Sequence, residues 1–63
     1  MYDFIFKFAS VEDANIFSDY VNEEELWQHH IPGSTEVVVD SICESTANEL
    51  YDWCKMKDLG III

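Results

Sequence analysis

The stretch "EELWQHHIPGSTEVVVD", residues 24–40, decides the fold. If its first residues prolong a helix, strand and helix alternate along the chain as β-α-β-α-β. If they form a strand, Pro32 and Gly33 become the turn between two neighbouring strands. Pro presets the first central position of a type II turn, and Gly accepts the positive φ of the second. The residues that follow, "TEVVVDSI" at 35–42, are dense in β-branched side chains and read as a strand. So tight a turn joins antiparallel strands more naturally than a helix to a strand. We therefore expect a strand from about Glu25 to Ile31. The helical alternative, with residues 23–30 in a helix, rests on the good helix formers of "EEELW".

Working outward, "MYDFIFKFA" at the N-terminus alternates. Tyr2, Phe4, Phe6 and Phe8 share one side, and Asp3, Ile5 and Lys7 the other, which predicts a strand with one buried face. Ser10 then offers its hydroxyl as a helix cap, with Asp13 three residues on in the manner of a capping box. Val11, Ala14, Phe17 and Val21 follow at helical spacing through about residue 22, leaving Ile16 and Tyr20 off the stripe. A second helix is expected from Ser45 or Thr46, with Thr46 and Glu49 as its capping box. Ala47, Leu50, Tyr51 and Cys54 form its inner stripe, Lys55 and Lys57 lie at its end, and Gly60 is the expected C-cap. Ile61 to Ile63 read as a short final strand on a sheet edge.

The expected order is β-α-β-β-α-β in one domain spanning residues 1–63. It resembles the ferredoxin-like, split βαβ arrangement: a two-layer α+β sandwich with strand order 4-1-3-2 and both helices on one face. On that layout Ile5, Val38 and Ile42 fall on the open face of the sheet.

Composition narrows the function. A chain of 63 residues has thin stability and little room for an enclosed substrate pocket, yet 49% hydrophobic residues argue for a real core. Thirteen acids against three lysines give a net charge of −10. Nucleic-acid backbones and acidic lipid surfaces are bound through Lys and Arg, so neither is an expected partner; a basic protein surface is. The charge also exceeds the magnitude of about 2–8 that solubility calls for. In size and charge the chain resembles the small acidic proteins of bacteriophages and mobile elements that mimic nucleic acid and block host enzymes. Two cysteines without a CxxC, no secretory leader pattern and no long apolar run lead us to expect a cytoplasmic protein with free thiols.

His29 and His30 are adjacent, so on a strand they face opposite ways and do not chelate one ion together. One of them has Asp40 or Glu36 within reach across the hairpin. No glycine-rich phosphate loop, nucleophile elbow or metal-ligand spacing occurs, and we expect no catalytic residue, metal or cofactor. Cys43 lies near a helix start, which favours a thiolate, but Asp40 and Glu44 oppose it. The residues expected to meet a partner are Glu12, Asp19, Glu23, Glu24 and Glu25, with Tyr20 and Trp27 as aromatic anchors. The primary expectation is a protein-binding module that docks on a basic site of a partner and inhibits or modulates it. The alternative is a homo-oligomeric ferredoxin-like structural or ligand-binding module, such as a homodimer paired through the open sheet face or the terminal strand.

Overall fold

A computed structural model of the chain describes residues 1–62; the expected strand position at Ile63 lies outside them. The elements run β1 (Tyr2–Phe8), α1 (Val11–Glu23), β2 (Gln28–His29), β3 (Glu36–Ile42), α2 (Glu44–Met56) and β4 (Ile61–Ile62). They form an antiparallel sheet in the order β2-β3-β1-β4. The fold is thus a small α+β arrangement of antiparallel strands and two helices, and the helical reading of residues 23–30 is set aside. Only β1 and β3 are full strands. The two-residue β2 and β4 fall short of the complete ferredoxin-like sandwich that the pattern suggests. No helix among the described residues is long and apolar enough to cross a membrane.

β2 is shorter than expected because the end of α1 consumes its first residues. Glu25 takes a left-handed φ of 59°, its N–H donates to the Asn22 carbonyl, and the Leu26 N–H donates to the Val21 carbonyl. This is a Schellman motif, which satisfies carbonyls that the helix leaves open. α2 ends the same way. Asp58 has a φ of 56°, its N–H reaches Lys55, and the Leu59 N–H reaches Cys54. Gly60 is therefore not the cap. Its carbonyl accepts from the Ala9 N–H at 2.7 Å, and a Cβ there would stand 3.1 Å from the Ala9 Cβ. Glycine eases that close approach, since a Cβ there would have to push Ala9 aside by a few tenths of an ångström, and it is not used for a turn.

The helix starts also depart from expectation. Ser10 caps α1, accepting from the Asp13 N–H at 3.2 Å. Asp13, however, does not return to Ser10; its carboxylate accepts the Gly60 N–H at 3.0 Å and so ties α1 to the approach of β4. α2 begins earlier than expected, at Glu44, with Cys43 at the N-cap and no side-chain cap hydrogen bond.

The turn is as read: the Ser34 N–H donates to the Ile31 carbonyl, and Gly33 has a φ of 89°, a type II geometry. Yet the flanking strands do not zip up to it, pairing only as Gln28 with Val39 and His29 with Val38.

β3 carries a bulge. Its register with β1 shifts between Tyr2 and Phe4, Ser41 takes a φ of 55°, and the Asp3 carboxylate accepts the Ser41 N–H at 3.1 Å. One extra residue flips the pleat. Ile42, expected on the open face, consequently turns inward and is only 4% exposed. The core joins Phe6 and Phe8 of β1, Ala14, Phe17 and Val21 of α1, Val37, Val39 and Ile42 of β3, and Ala47, Leu50 and Cys54 of α2. Phe17 packs on Phe6 and Phe8 with ring centroids 4.8 and 5.1 Å apart.

Candidate functional site

The expected partner-binding residues divide into three settings. Glu12, Asp19 and Glu23 stand exposed on the solvent side of α1 with Ile16 among them, and Glu24 and Glu25 continue the run past its end. These carboxylates lie on the helix layer. Trp27 is 79% exposed, and its carbonyl accepts the Asp40 N–H at 2.9 Å. Pleat alternation places its ring with His29 on the opposite, open face of the sheet. It is not on the same surface as Glu12 and Asp19. Tyr20 is half-buried and stacked on Trp53, with centroids 3.8 Å apart and planes inclined by 9°. Its ring closes the core, and its hydroxyl end is what remains for a partner.

That end overlooks a notch between the helices. Tyr20, Glu24 and Leu26 line it from the first half of the chain, and Thr46, Glu49 and Leu50 from α2, around a volume of about 190 Å³. Leu50 is buried and Leu26 half-buried, so the floor is apolar; Glu24 and Glu49 are exposed at the rim. Burial, the hydrogen-bonded Glu24 carboxylate and the charge of Glu49 all push the Tyr20 phenol above its ordinary value. Two carboxylates and two hydroxyls over a greasy floor suit the ammonium or guanidinium end of a long side chain, whose methylenes would rest on the leucines. Tyr20 and Glu24 are among the residues expected to meet a partner; Glu49 and Thr46, expected as a capping box, are not. The signal was there in part: Glu49 and Leu50 sit at the boundary between the inner stripe of α2 and its polar face.

The histidines separate as the alternation requires. His29 Nε2 lies 2.5 Å from Asp40 Oδ2 across the β2–β3 pair, and the half-buried His30 donates from Nε2 to the Ser34 carbonyl at 2.9 Å. No three His, Cys, Asp or Glu side chains among the described residues converge as metal ligands.

Both cysteines are free. Cys54 is buried, and that burial pushes its thiol up to about 12. Cys43 is exposed, with Sγ 3.3 Å from the Thr46 hydroxyl and 3.7 Å from that of Ser45. Hydrogen bonds from the Thr46 hydroxyl and backbone, then from Ser45, bring the thiol down to about 7. The neighbouring acids, expected to oppose a thiolate, are not among the causes of the shift; desolvation is what works against these donors.

No known protein family, characterised protein or solved structure proved similar to this chain.

Proposed function

We propose that the protein is an acidic binding module that docks on a basic site of a protein partner and inhibits or modulates it, with no catalytic step of its own. The observation that carries the reading is the notch: Glu24 and Glu49 flank the Tyr20 hydroxyl above Leu26 and Leu50, a receptacle for one lysine or arginine side chain. The exposed carboxylates of Glu12, Asp19, Glu23 and Glu25 supply the surrounding field, which steers a basic surface and speeds association. A net charge of −10 on 63 residues supports a nucleic-acid-mimic mode, of the kind used by phage and mobile-element inhibitors acting in the cytoplasm. The strand order read from the β4 edge, 4-1-3-2, supports taking the fold as an abbreviated ferredoxin-like layout.

The test is a pull-down from cell lysate with mass spectrometry, followed by titration of the captured partner at rising salt. Binding should weaken steeply with salt, and Glu24→Lys with Glu49→Lys should weaken it at least tenfold while the fold is retained. Salt-insensitive binding, or full affinity in the doubly reversed variant, would sink the reading. A second reading, a homodimer paired through the open sheet face, draws on Ile5 and Trp27, both exposed there. A monomer by light scattering at high concentration removes it.

A further inference from the structure

The notch between the helices carries one sign of charge. Two further hollows, an open trough of about 570 Å³ beside Asp52 and an apolar one of about 170 Å³ over Cys54, are both lined by Lys55. No lysine lines the notch, which holds Glu24 and Glu49 and is built wholly from residues 20–26 and 46–50, away from both ends of the described chain. Its hydroxyl protons are already spent. Burial, the hydrogen bond to Glu24 and the Glu49 charge keep the Tyr20 proton on the phenol, where it is donated to the Glu24 carboxylate. The Thr46 hydroxyl, 3.3 Å from Cys43 Sγ, donates to that sulfur when it is a thiolate.

The lining side chains therefore offer a guest acceptors only: the Tyr20 and Thr46 oxygens, each with lone pairs left, and the two carboxylates. A carboxylate, phosphate or amide oxygen finds no side-chain donor there. The positive end of α2 nearby is answered by Glu44 in its first turn and by the Cys43 thiolate. Geometry then separates the two cationic side chains. The acceptors stand on opposite walls, Tyr20 and Glu24 at the end of α1 and Thr46 and Glu49 on α2. A volume of about 190 Å³ is, as a sphere, about 7 Å across, whereas one ammonium nitrogen at about 2.9 Å per hydrogen bond spans acceptors no more than about 6 Å apart. The nitrogens of a guanidinium fork, about 2 Å apart, extend that reach to about 8 Å.

The floor works in the same direction. Leu50 is buried and Leu26 half-buried, and a weakly hydrated guanidinium costs less to lay on such a floor than a strongly hydrated ammonium. We infer that the notch selects arginine over lysine, holding a partner's guanidinium between the Tyr20–Glu24 wall and the Thr46–Glu49 wall. Thr46 decides between the two side chains, as the acceptor that an ammonium seated on the carboxylates leaves unreached. The inference rests on the proposed reading of the notch as a receptacle for a basic side chain and goes beyond it by naming which one.

The probes are N-acetyl-arginine methylamide, its lysine and citrulline counterparts, and its asymmetrically dimethylated form. Each is titrated against the full chain by amide NMR at low salt and about pH 8, where Cys43 is mostly thiolate. The arginine probe should shift the amides of Tyr20, Glu24, Thr46 and Glu49 and bind about fivefold or more tightly than the lysine probe. Dimethylation keeps the charge but removes N–H groups, and should bring arginine down to the level of lysine. Neutral citrulline should not bind. Thr46→Val should lower the arginine affinity toward that of lysine and leave lysine unchanged, with circular dichroism checking the fold. The dimethylated probe carries the same test without altering the protein. Equal affinities for arginine and lysine, full affinity of dimethylated arginine, or selectivity that survives Thr46→Val overturns the inference. The receptacle itself stands in those cases if Glu24→Lys with Glu49→Lys abolishes binding of both cations. Arginine binding that survives the double reversal, or no binding of any probe at about 50 mM, removes the receptacle and the inference together.

Discussion

The two halves of the molecule, β1-α1-β2 and β3-α2-β4, repeat one plan with different parts. Each sends a seven-residue strand into a 13-residue helix, ends that helix on an acidic residue in the left-handed region, and follows it with a half-buried leucine and a two-residue strand. The first half gives the core its aromatic mass: Phe6, Phe8 and Phe17. The second gives it Val37, Val39, Ile42, Ala47, Leu50 and Cys54, all smaller. Their helix caps differ as well. Ser10 spends its hydroxyl on the Asp13 N–H, while Cys43, at the matching place, caps nothing and stays exposed. The plan is shared, but the first half brings the bulkiest core side chains and the second leaves an exposed thiol at its N-cap.

The largest effect should come from unbalancing the core. Phe17→Ala removes the ring that touches both Phe6 and Phe8, a change that costs about 3–5 kcal/mol. A domain this small has little more than that in total. The variant should be unfolded at 25 °C by circular dichroism. Cys54→Ala, in the other half, deletes one buried sulfur and should cost about 1 kcal/mol in urea denaturation. Equal losses would show that the asymmetry of the core has no energetic meaning.

Helix caps come next. Ser10→Ala should cost about 1 kcal/mol, whereas Cys43→Ala should cost almost nothing, because no cap bond is lost. Cys43→Ser, restoring a hydroxyl at the N-cap, should stabilise by a few tenths of a kcal/mol or more. A smaller change belongs to the other ends of the helices. Glu25→Gly and Asp58→Gly each relieve a left-handed non-glycine residue and should gain about 0.5–1 kcal/mol. Glu25 should gain more, since aspartate tolerates that conformation better.

How much of this was readable in advance follows from the range of each interaction. The alternation of "MYDFIFKF", the Ser10 cap and the Pro32-Gly33 turn are local, and each was legible from a few neighbouring residues. The inward turn of Ile42 was not, because it depends on a bulge held by Asp3 from the far end of the chain. The same holds for Asp13, whose capping-box role was legible but whose carboxylate is taken by Gly60. At the notch, Tyr20 and Glu24 stood out by charge and surplus aromaticity. Glu49 and Thr46 join them only once the two helices lie side by side. The Schellman ends were missed because neither carries the glycine that usually marks one.

The smallest effect on stability, and the sharpest on chemistry, lies in the two N-caps themselves. Thr46 stands three residues beyond Cys43, where Asp13 stands three beyond Ser10. A hydroxyl at that place donates to a thiolate; a carboxylate repels it. With its thiol brought down to about 7, Cys43 should be half ionised near neutrality. Its alkylation by iodoacetamide should climb between about pH 6 and 8 and then level off, where an unperturbed thiol, with a pKa of about 8.5, continues to climb. Thr46→Val removes the hydroxyl 3.3 Å from the Cys43 sulfur and should slow alkylation at pH 7 several-fold. Moving the thiol to the other half, as Ser10→Cys in a Cys43→Ser background, sets it beside Asp13 and should shift the whole rate profile to higher pH. If the relocated thiol reacts as fast at pH 7 as Cys43 does, the helix N-terminus alone activates it and the hydroxyls of Ser45 and Thr46 are incidental.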